Sequence, residues 1–185
     1  MKQQNKFDLE QTFKLCIFGD KGVGKTTLVH TYITNKFEPD LKQTMGVNLY
    51  VKFIEFEGLR TSLQIWDFGG EDTFRFLLPN YAYGSFGGIF MYDISNQRSL
   101  KHIDEWIPLF RKGLAEQRKD IPILLVGGKL DLEDNRECFS QESYEILDKY
   151  DLIDGIECSS KSGEKVNIVF EKLLKEIRNY LGSDN

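Results

Sequence analysis

The stretch Phe13-Lys-Leu-Cys-Ile-Phe18-Gly19-Asp-Lys-Gly-Val-Gly24-Lys25-Thr26 decides the fold. Its first part is a short apolar run typical of a buried strand, and its second part fits the pattern G-x-x-x-x-G-K-[ST] in full. Helical spacing of apolar residues follows over Lys25–Thr34. A glycine-rich loop between a strand and a helix predicts backbone N–H groups that converge on phosphate at a helix N-terminus. An ordinary glycine turn that caps a helix is the alternative interpretation.

Strands and helices alternate along the rest of the chain. Apolar runs bounded by turn signals predict a hairpin of strands 50–56 and 59–66, and further strands over 88–92, 121–126 and 152–158. Helical spacing begins near Ser99 and recurs over 140–150 and 166–181. Wholly apolar strands need cover on both faces, so we expect an α/β fold of the P-loop nucleotide-binding type. Its sheet is mostly parallel and six-stranded, with helices on both faces.

Length and charge restrict the classes of function. The 185 residues suit one domain, predicted over 12–182, with a flexible tail at 1–11 and a short tail at 183–185. The net charge of -5 argues against broad binding to nucleic acid or to anionic lipid, which both need a basic surface.

The cysteines and the ends of the chain bear on location. Cys16, Cys138 and Cys158 have no framework spacing, and we expect Cys16 and Cys158 to be reduced core thiols, as in a cytoplasmic protein. The sequence shows neither a secretory signal nor an apolar run of the roughly 20 residues that a membrane span needs. The last residues contain no cysteine for prenylation, so membrane attachment stays open.

The phosphate loop predicts specific contacts. We expect Lys25 to reach the β- and γ-phosphates of a nucleotide, and the Thr26 hydroxyl to bind Mg²⁺. The loop residues expected to contact the nucleotide are Lys21, Gly22, Val23, Gly24, Lys25, Thr26 and Thr27.

Two further segments predict which base is bound. Gly128-Lys129-Leu130-Asp131 follows an apolar strand, and a carboxylate there can accept from N1–H and the exocyclic amine of guanine. Adenine would present a lone pair to Asp131, which leaves a buried charge unpaired. In Ser159-Ser160-Lys161, the Ser160 N–H can meet guanine O6, while the Lys129 and Lys161 stems cover the two faces of the base. Each segment alone is typical of a surface loop; their order behind a phosphate loop predicts a guanine nucleotide.

On these motifs the chain resembles a Ras-superfamily small GTPase, most closely the Rab group, over Phe13 to about Leu181. The resemblance implies a small G domain that binds GTP or GDP with Mg²⁺. It further implies that Thr44 is the switch I threonine, which binds Mg²⁺ when the γ-phosphate is present, and that Phe37 packs against guanine. Asp67 would hold Mg²⁺ through water, and the Gly70 N–H would meet the γ-phosphate.

The resemblance also implies protein partners. Effectors, exchange factors and GTPase-activating proteins would bind through 41–49 and 70–83, and the protein would act as a monomer in the cytoplasm or at the cytosolic face of membranes. Leu49, Trp66 and Tyr81 fall at the hydrophobic triad that Rab-like proteins use for effectors. For Trp66 and Tyr81, plain core packing is the alternative.

Four positions depart from the family pattern. Glu71 replaces the glutamine that orients the attacking water, and an ionised carboxylate can only accept hydrogen bonds. Lys21 stands where a small residue is usual, and an ion pair between Lys21 and Glu71 is our hypothesis; an exposed lysine on the loop rim is its alternative. Gly128 replaces an asparagine that ties the base loops to the phosphate loop, and Leu41 replaces a switch I tyrosine that shields the phosphates.

Three functions remain in competition. The first is a GTPase switch that hydrolyses GTP slowly, and its candidate catalytic residues are Glu71, Lys25, Gly70 and Lys21. The second is a GTP-binding docking module that hardly hydrolyses, and Glu71 and Lys21 favour it. The third is an ATP-using P-loop kinase, against which Asp131 and Lys161 count.

Overall fold

Six strands form a single sheet in the computed structural model, which describes residues 10–114 and 120–183. The strands are β1 (Glu10–Phe18), β2 (Val47–Phe56), β3 (Leu59–Phe68), β4 (Gly87–Asp93), β5 (Ile123–Gly128) and β6 (Asp154–Glu157). Their order is β2-β3-β1-β4-β5-β6, and only the β2–β3 pair is antiparallel among these strands. The predicted mostly parallel, six-stranded α/β sheet is therefore confirmed.

Helices connect the strands. They are α1 (Lys25–Thr34), α2 (Asp72–Arg75), α3 (Leu78–Ala82), α4 (Gln97–Lys101), α5 (Ile103–Gly113), α6 (Ser140–Lys149) and α7 (Val166–Ser183). A 3₁₀ helix, Leu130–Asn135, follows β5.

The core consists of two layers, one on each face of the sheet. Leu15 and Ile17 of β1 pack into the layer that holds Leu28 of α1 and Phe170 of α7. The alternate residues of the same strand pack into the opposite layer against α5, where the Phe18 and Phe110 rings stack with centroids 4.6 Å apart. Because successive strand residues point to opposite faces, β1 is buried on both sides, as a central parallel strand requires.

Several boundaries differ from the sequence-based expectation. β1 begins at Glu10, inside the segment assigned to the tail, because Glu10 pairs with Arg60 of β3. Likewise α7 extends to Ser183. The remainder of both predicted tails, residues 1–9 and 184–185, lies outside the described residues. β2 begins at Val47 and not at 50, β5 covers Ile123–Gly128, and β6 covers only Asp154–Glu157.

The helix expected from Ser99 onward is two helices. α4 begins earlier, at Gln97, because the Asn96 side chain accepts a hydrogen bond from the Arg98 N–H and caps it. His102 lies between α4 and α5 as the cap of both, and its ψ of 0°, compared with about -42° in a regular α-helix, marks the junction between them. The five residues of the predicted apolar stripe, Leu100, Ile103, Trp106, Ile107 and Phe110, are all buried.

The strand register positions the loops that carry the motifs. Ile17 of β1 pairs with Asp67 of β3, and Phe18 pairs with Phe90 of β4. The carboxyl ends of β1, β3, β4 and β5 therefore lie at one edge of the sheet, which is where ligands bind in folds of this kind.

Candidate functional site

Lys25 forms hydrogen bonds to the backbone of the loop between β1 and α1. Lys25 is buried, and its Nζ donates to the carbonyl oxygens of Gly19 at 2.9 Å and Asp20 at 2.7 Å. Burial lowers the pKa of Lys25 to about 8, while the negative charges of Asp67 and Asp20 act in the opposite direction. A cation held at the mouth of such a loop can bind a phosphate group.

Three side-chain oxygens meet beside this lysine. The Thr26 hydroxyl donates to Asp67 Oδ2 at 2.6 Å and lies 2.8 Å from the Thr44 hydroxyl, which is 3.1 Å from the same carboxylate oxygen. Burial raises the pKa of Asp67, against the effects of the Thr26 hydrogen bond and of the Lys25 charge. Asp67 Oδ1 is buried and has no hydrogen-bond partner among the described residues.

This oxygen cluster fits Mg²⁺. Neighbouring ligands of an octahedral Mg²⁺ lie about 2.9 Å apart, because each metal–oxygen distance is about 2.0–2.1 Å. Mg²⁺ commonly takes one or two carboxylates from the protein and completes its shell with water and phosphate oxygens. The Thr26 and Thr44 hydroxyls, 2.8 Å apart, match two neighbouring ligands, and the Asp67 carboxylate beside them, with its unpartnered Oδ1, suits a contact to the ion through water.

The segment after β3 approaches the phosphate loop at Gly70. A Cβ at this position would lie 2.2 Å from the Lys21 backbone nitrogen, so only glycine allows the two loops to come so close. The Gly69 N–H donates to the Gly46 carbonyl at 2.8 Å, which joins the same segment to the loop before β2. Three loops therefore surround one cavity of about 260 Å³.

That cavity and a second one are lined by the predicted nucleotide-binding residues, with the exception of Ser159. The first is lined by Lys21, Gly22, Gly24, Lys25, Thr26, Thr27, Thr44 and Gly70. The second, of about 230 Å³, shares Gly22, Gly24 and Thr27 and adds Val23, Phe37, Lys129, Asp131, Ser160 and Lys161. Sharing these loop residues makes the two cavities neighbours, as the phosphate and base ends of one nucleotide require.

A carboxylate marks the second cavity. Asp131 Oδ1 accepts from the hydroxyl of buried Ser159 at 2.6 Å, and Lys161 Nζ lies 3.9 Å from Oδ2. Ser159 thus contributes by orienting Asp131 and does not line the cavity. Lys129 has a φ of 65°, and its Nζ pairs with Asp93 Oδ2 at 2.6 Å. The contact of Asp93 with Lys129 was not predicted from the sequence. The signal that could have indicated it is the position of this carboxylate at the end of the apolar strand β4.

A larger cavity, of about 540 Å³, lies beside β6, away from these residues. Its rim carries Arg136, whose guanidinium binds both oxygens of Glu157 at 2.6 and 2.7 Å. None of the predicted site residues lines it.

Comparison with known proteins agrees with this geometry. The model of the Ras family matches residues 14–179. The chain belongs to the Ras family of small GTPases. Over 169 residues it is 32% identical to the Ras-related protein SEC4 of Candida albicans, which covers 91% of this chain and 79% of that protein. It is 35% identical to the Ras-related proteins Rab-18-B of Danio rerio and Rab-11C of Dictyostelium discoideum. These alignments cover 92% and 95% of this chain, and 81% and 77% of the relatives.

In this Rab-like GTPase, the triad positions lie on one surface. The Leu49 side chain is exposed, the Trp66 and Tyr81 rings contact each other with centroids 5.4 Å apart, and Lys14 Nζ lies 4.6 Å from the Trp66 ring. Trp66 packs against the core while remaining partly exposed. Its surroundings therefore fit both interpretations of this residue, core packing and an exposed effector surface.

The four departures of this GTPase also have structural settings. Lys21 Nζ lies 2.9 Å from Glu71 Oε1, which is the predicted ion pair. The two residues share a cleft of about 500 Å³ next to the cavity of about 260 Å³ around Lys25. At Gly128 a Cβ would lie 2.9 Å from the Val23 carbonyl oxygen, so the base loop touches the phosphate loop through its backbone. Leu41 lines the cavity of about 260 Å³ that contains Lys25, which we call the phosphate cavity.

Sequence reasoning missed three polar contacts of this GTPase, one made by Gln43 and two made by Asp20. Gln43 Nε2 donates to Glu71 Oε1 at 2.5 Å, and no sequence signal joins residues 28 positions apart in two irregular loops. Asp20 accepts from Trp106 Nε1 at 2.9 Å and contacts His102 Nδ1 at 2.5 Å, which fixes the phosphate loop to α4 and α5. Across the described ranges 10–114 and 120–183, no helix has the length and apolarity to cross a membrane.

Proposed function

We propose that this small GTPase is a molecular switch that binds GTP and GDP with Mg²⁺ and hydrolyses GTP slowly to GDP and phosphate. The observation that carries the proposal is the convergence of the Thr26, Thr44 and Asp67 oxygens beside Lys25. The Asp131 carboxylate in the adjoining cavity adds the preference for guanine. Family membership supports the same reaction.

In this proposal each part of the site has one task. Lys25 and the loop N–H groups of residues 21–27 hold the phosphates, and Thr26, Thr44 and Asp67 would hold Mg²⁺, which supplies charge stabilisation for the leaving and transferring phosphates. Asp131, Ser160 and the stems of Lys129 and Lys161 hold the base, with Phe37 at its edge and Ser159 behind Asp131. Thr44 and Gly70 draw the loops 41–49 and 70–83 onto the γ-phosphate.

Those two loops are also the surface that we propose for effectors, exchange factors and GTPase-activating proteins. Their shape would depend on whether the γ-phosphate is present, which is how a switch presents two surfaces. Cys16 and Cys158 are buried free thiols, which supports a reducing location in the cytosol or at the cytosolic face of membranes. We propose that the protein acts as a monomer.

Slow hydrolysis follows from Glu71. A water-orienting side chain has to accept from water and donate toward the phosphoryl group, and an ionised carboxylate does only the first. Its negative charge also faces the phosphates, although Lys21 offsets part of it. A docking module that keeps its GTP is the second candidate, because Lys21 and Gln43 both engage the Glu71 side chain.

Two assays test the proposal: competition between nucleotides tests the base preference, and single-turnover hydrolysis tests the reaction. Purified protein is loaded with a fluorescent GDP, and release is followed in excess GDP or ADP; only GDP should prevent rebinding. The chain is then loaded with GTP and Mg²⁺, and phosphate release is timed for wild type and Glu71→Gln. We expect measurable turnover in wild type and faster turnover in the variant, which has an amide to donate toward the phosphoryl group.

Other results would change the assignment. Equal competition by ADP contradicts the guanine preference. A wild type that keeps its GTP unchanged, together with a variant that hydrolyses it, identifies the docking module.

A further inference from the structure

Glu71 is contacted by donors from two other loops. Its Oε1 accepts from Lys21 Nζ at 2.9 Å and from Gln43 Nε2 at 2.5 Å. Lys21 belongs to the phosphate loop, Gln43 directly precedes Thr44, and Glu71 is the residue before α2. One carboxylate oxygen therefore joins the three loops that surround the phosphate cavity.

The two donors change what the carboxylate can do. Lys21 balances its negative charge, and both hydrogen bonds favour the ionised form, so the pKa of the Glu71 carboxyl lies below its usual value. Both bonds are made to Oε1, which leaves Oε2 to accept from a water molecule. The carboxylate is thus fixed in orientation by Gln43 and kept ionised, so Oε2 can accept a hydrogen bond from the attacking water and orient it without taking its proton.

The position of Gln43 is itself fixed. Its neighbour Thr44 is buried and contacts both Thr26 and Asp67 through its hydroxyl. The backbone at Gly46 accepts from the Gly69 N–H, two residues before Glu71. The Gln43 carboxamide can therefore hold Glu71 only while this loop is closed over the oxygen cluster.

We propose that Gln43 is a positioning residue for GTP hydrolysis, which holds the Glu71 carboxylate toward the attacking water when the loop around Thr44 is closed. This inference rests on the proposed function. In the step concerned, the water oxygen bonds to the γ-phosphorus while the bond from that phosphorus to the β–γ bridging oxygen breaks. GDP leaves with the electron pair of the broken bond, and both water hydrogens leave on inorganic phosphate.

The chemistry of Glu71 distinguishes this role from a general stabilisation of the loop. A glutamine at position 71 would carry its own acceptor and donor, so it would depend less on Gln43 to act on water. The effect of removing the Gln43 carboxamide should therefore be large with Glu71 in place and small with glutamine there. Two residues that act through one contact are non-additive in this way.

A double-mutant cycle tests the proposal. Single-turnover rates are measured on GTP-loaded, Mg²⁺-containing wild type, Gln43→Ala, Glu71→Gln and the double variant, with the bound nucleotide quantified before each run. We expect Gln43→Ala to slow hydrolysis roughly tenfold in the wild-type background, since a displaced catalytic group is costly, and less than about twofold in the Glu71→Gln background. Gln64→Ala, the same substitution on the half-buried part of β3, should leave the rate unchanged.

Three results would overturn it. Gln43→Ala could hydrolyse at the wild-type rate, or it could slow both backgrounds equally, which would be the result of a purely structural role. Loaded wild type could also show no turnover at all. Failure of the proposed guanine-nucleotide binding is separate from these, because it is seen as missing nucleotide before any hydrolysis is timed.

Discussion

At the scale of single residues, Lys25 combines a buried charge with a role that needs that charge. Its Nζ has two carbonyl partners, and burial still lowers its pKa to about 8 from the 10.5 of an exposed lysine. The protein thus holds a cation in a setting that disfavours it, and bound phosphates would favour the charged form again. The charge of Lys25 therefore favours phosphate binding and, because it is buried, disfavours folding of the nucleotide-free protein.

Lys25 predicts a pH dependence of the nucleotide-free protein. Between about pH 8 and 10.5 the unfolded chain holds one proton more than the folded chain at this group, so the free energy of unfolding rises with pH there. The gain is up to about 3 kcal/mol. Urea unfolding at several pH values should show this rise in the free energy of unfolding for wild type and not for Lys25→Met. At pH 7 the two proteins also differ in stability because the variant lacks the hydrogen bonds of Lys25, so the slopes with pH are compared. Parallel pH curves for the two proteins would contradict the prediction.

Gly128 is the second residue with a measurable consequence. Restoring the asparagine that the family pattern has there would place a Cβ 2.9 Å from the Val23 carbonyl oxygen and 2.5 Å from Met91 Cε. The methionine end can move, but the backbone carbonyl belongs to the phosphate loop. We expect Gly128→Asn to lower the free energy of unfolding by about 1–3 kcal/mol and not to slow GDP release.

Alanine variants separate the Cβ from the amide in this experiment. Gly128→Ala should lose similar stability, whereas Gly155→Ala in β6 should lose little, because its Cβ would meet only Leu147 Cδ1 at 3.8 Å. Denaturation of the GDP-loaded proteins gives the comparison. An asparagine variant that is as stable as wild type and releases GDP more slowly would show that the loop adapts.

At the scale of elements, α2 is held mainly through one side chain. Arg75 is half-buried, with 12% of its side chain exposed, and its guanidinium pairs with Asp20 at 3.1 Å and lies 4.9 Å from the Trp106 ring. It also contacts Glu105 of α5. A helix of four residues has little stability of its own, so these contacts determine where the segment lies.

Arg75→Ala should therefore loosen this segment without unfolding the domain. We expect backbone amides over 70–83 to exchange at least about tenfold faster, because local opening costs less once the arginine contacts are gone. Hydrogen exchange measured by mass spectrometry on the GDP-loaded protein gives the readout. Lys112→Ala, an exposed basic residue of α5, is the matched control. Unchanged exchange over 70–83 would mean that α2 is held by other contacts.

At the scale of the whole molecule, sequence predicted the features that depend on local pattern. The phosphate loop and α1 could be assigned because the motif, the preceding strand and the following helix are adjacent in the chain. The sheet could be assigned because apolar strands alternate with helices. From those two results the edge that carries Asp67, Asp131 and Ser160 follows, since parallel strands end at the same side.

The remainder depends on contacts that the chain makes across long distances. The Lys21–Glu71 pair could be proposed from two unusual residues, but Gln43 and Asp20 carry no signal of their own. The break at His102 was missed because the apolar spacing continues through it. The early start of β1 was missed because Glu10 and Gln11 are polar residues that join the sheet through backbone pairing with β3.

The central place of β1 has a consequence for synthesis of the protein. Leu15 leaves the ribosome before both of its partners, which are Ile65 in β3 and Gly87 in β4. At a translation rate of about 5–20 residues per second, the apolar strand waits roughly 4–14 seconds for its second neighbour. Both of its edges are open to wrong partners until β3 is made, and the edge that faces β4 stays open for the whole of that time. Nascent chains of this protein should therefore be a substrate for chaperones until β4 has emerged.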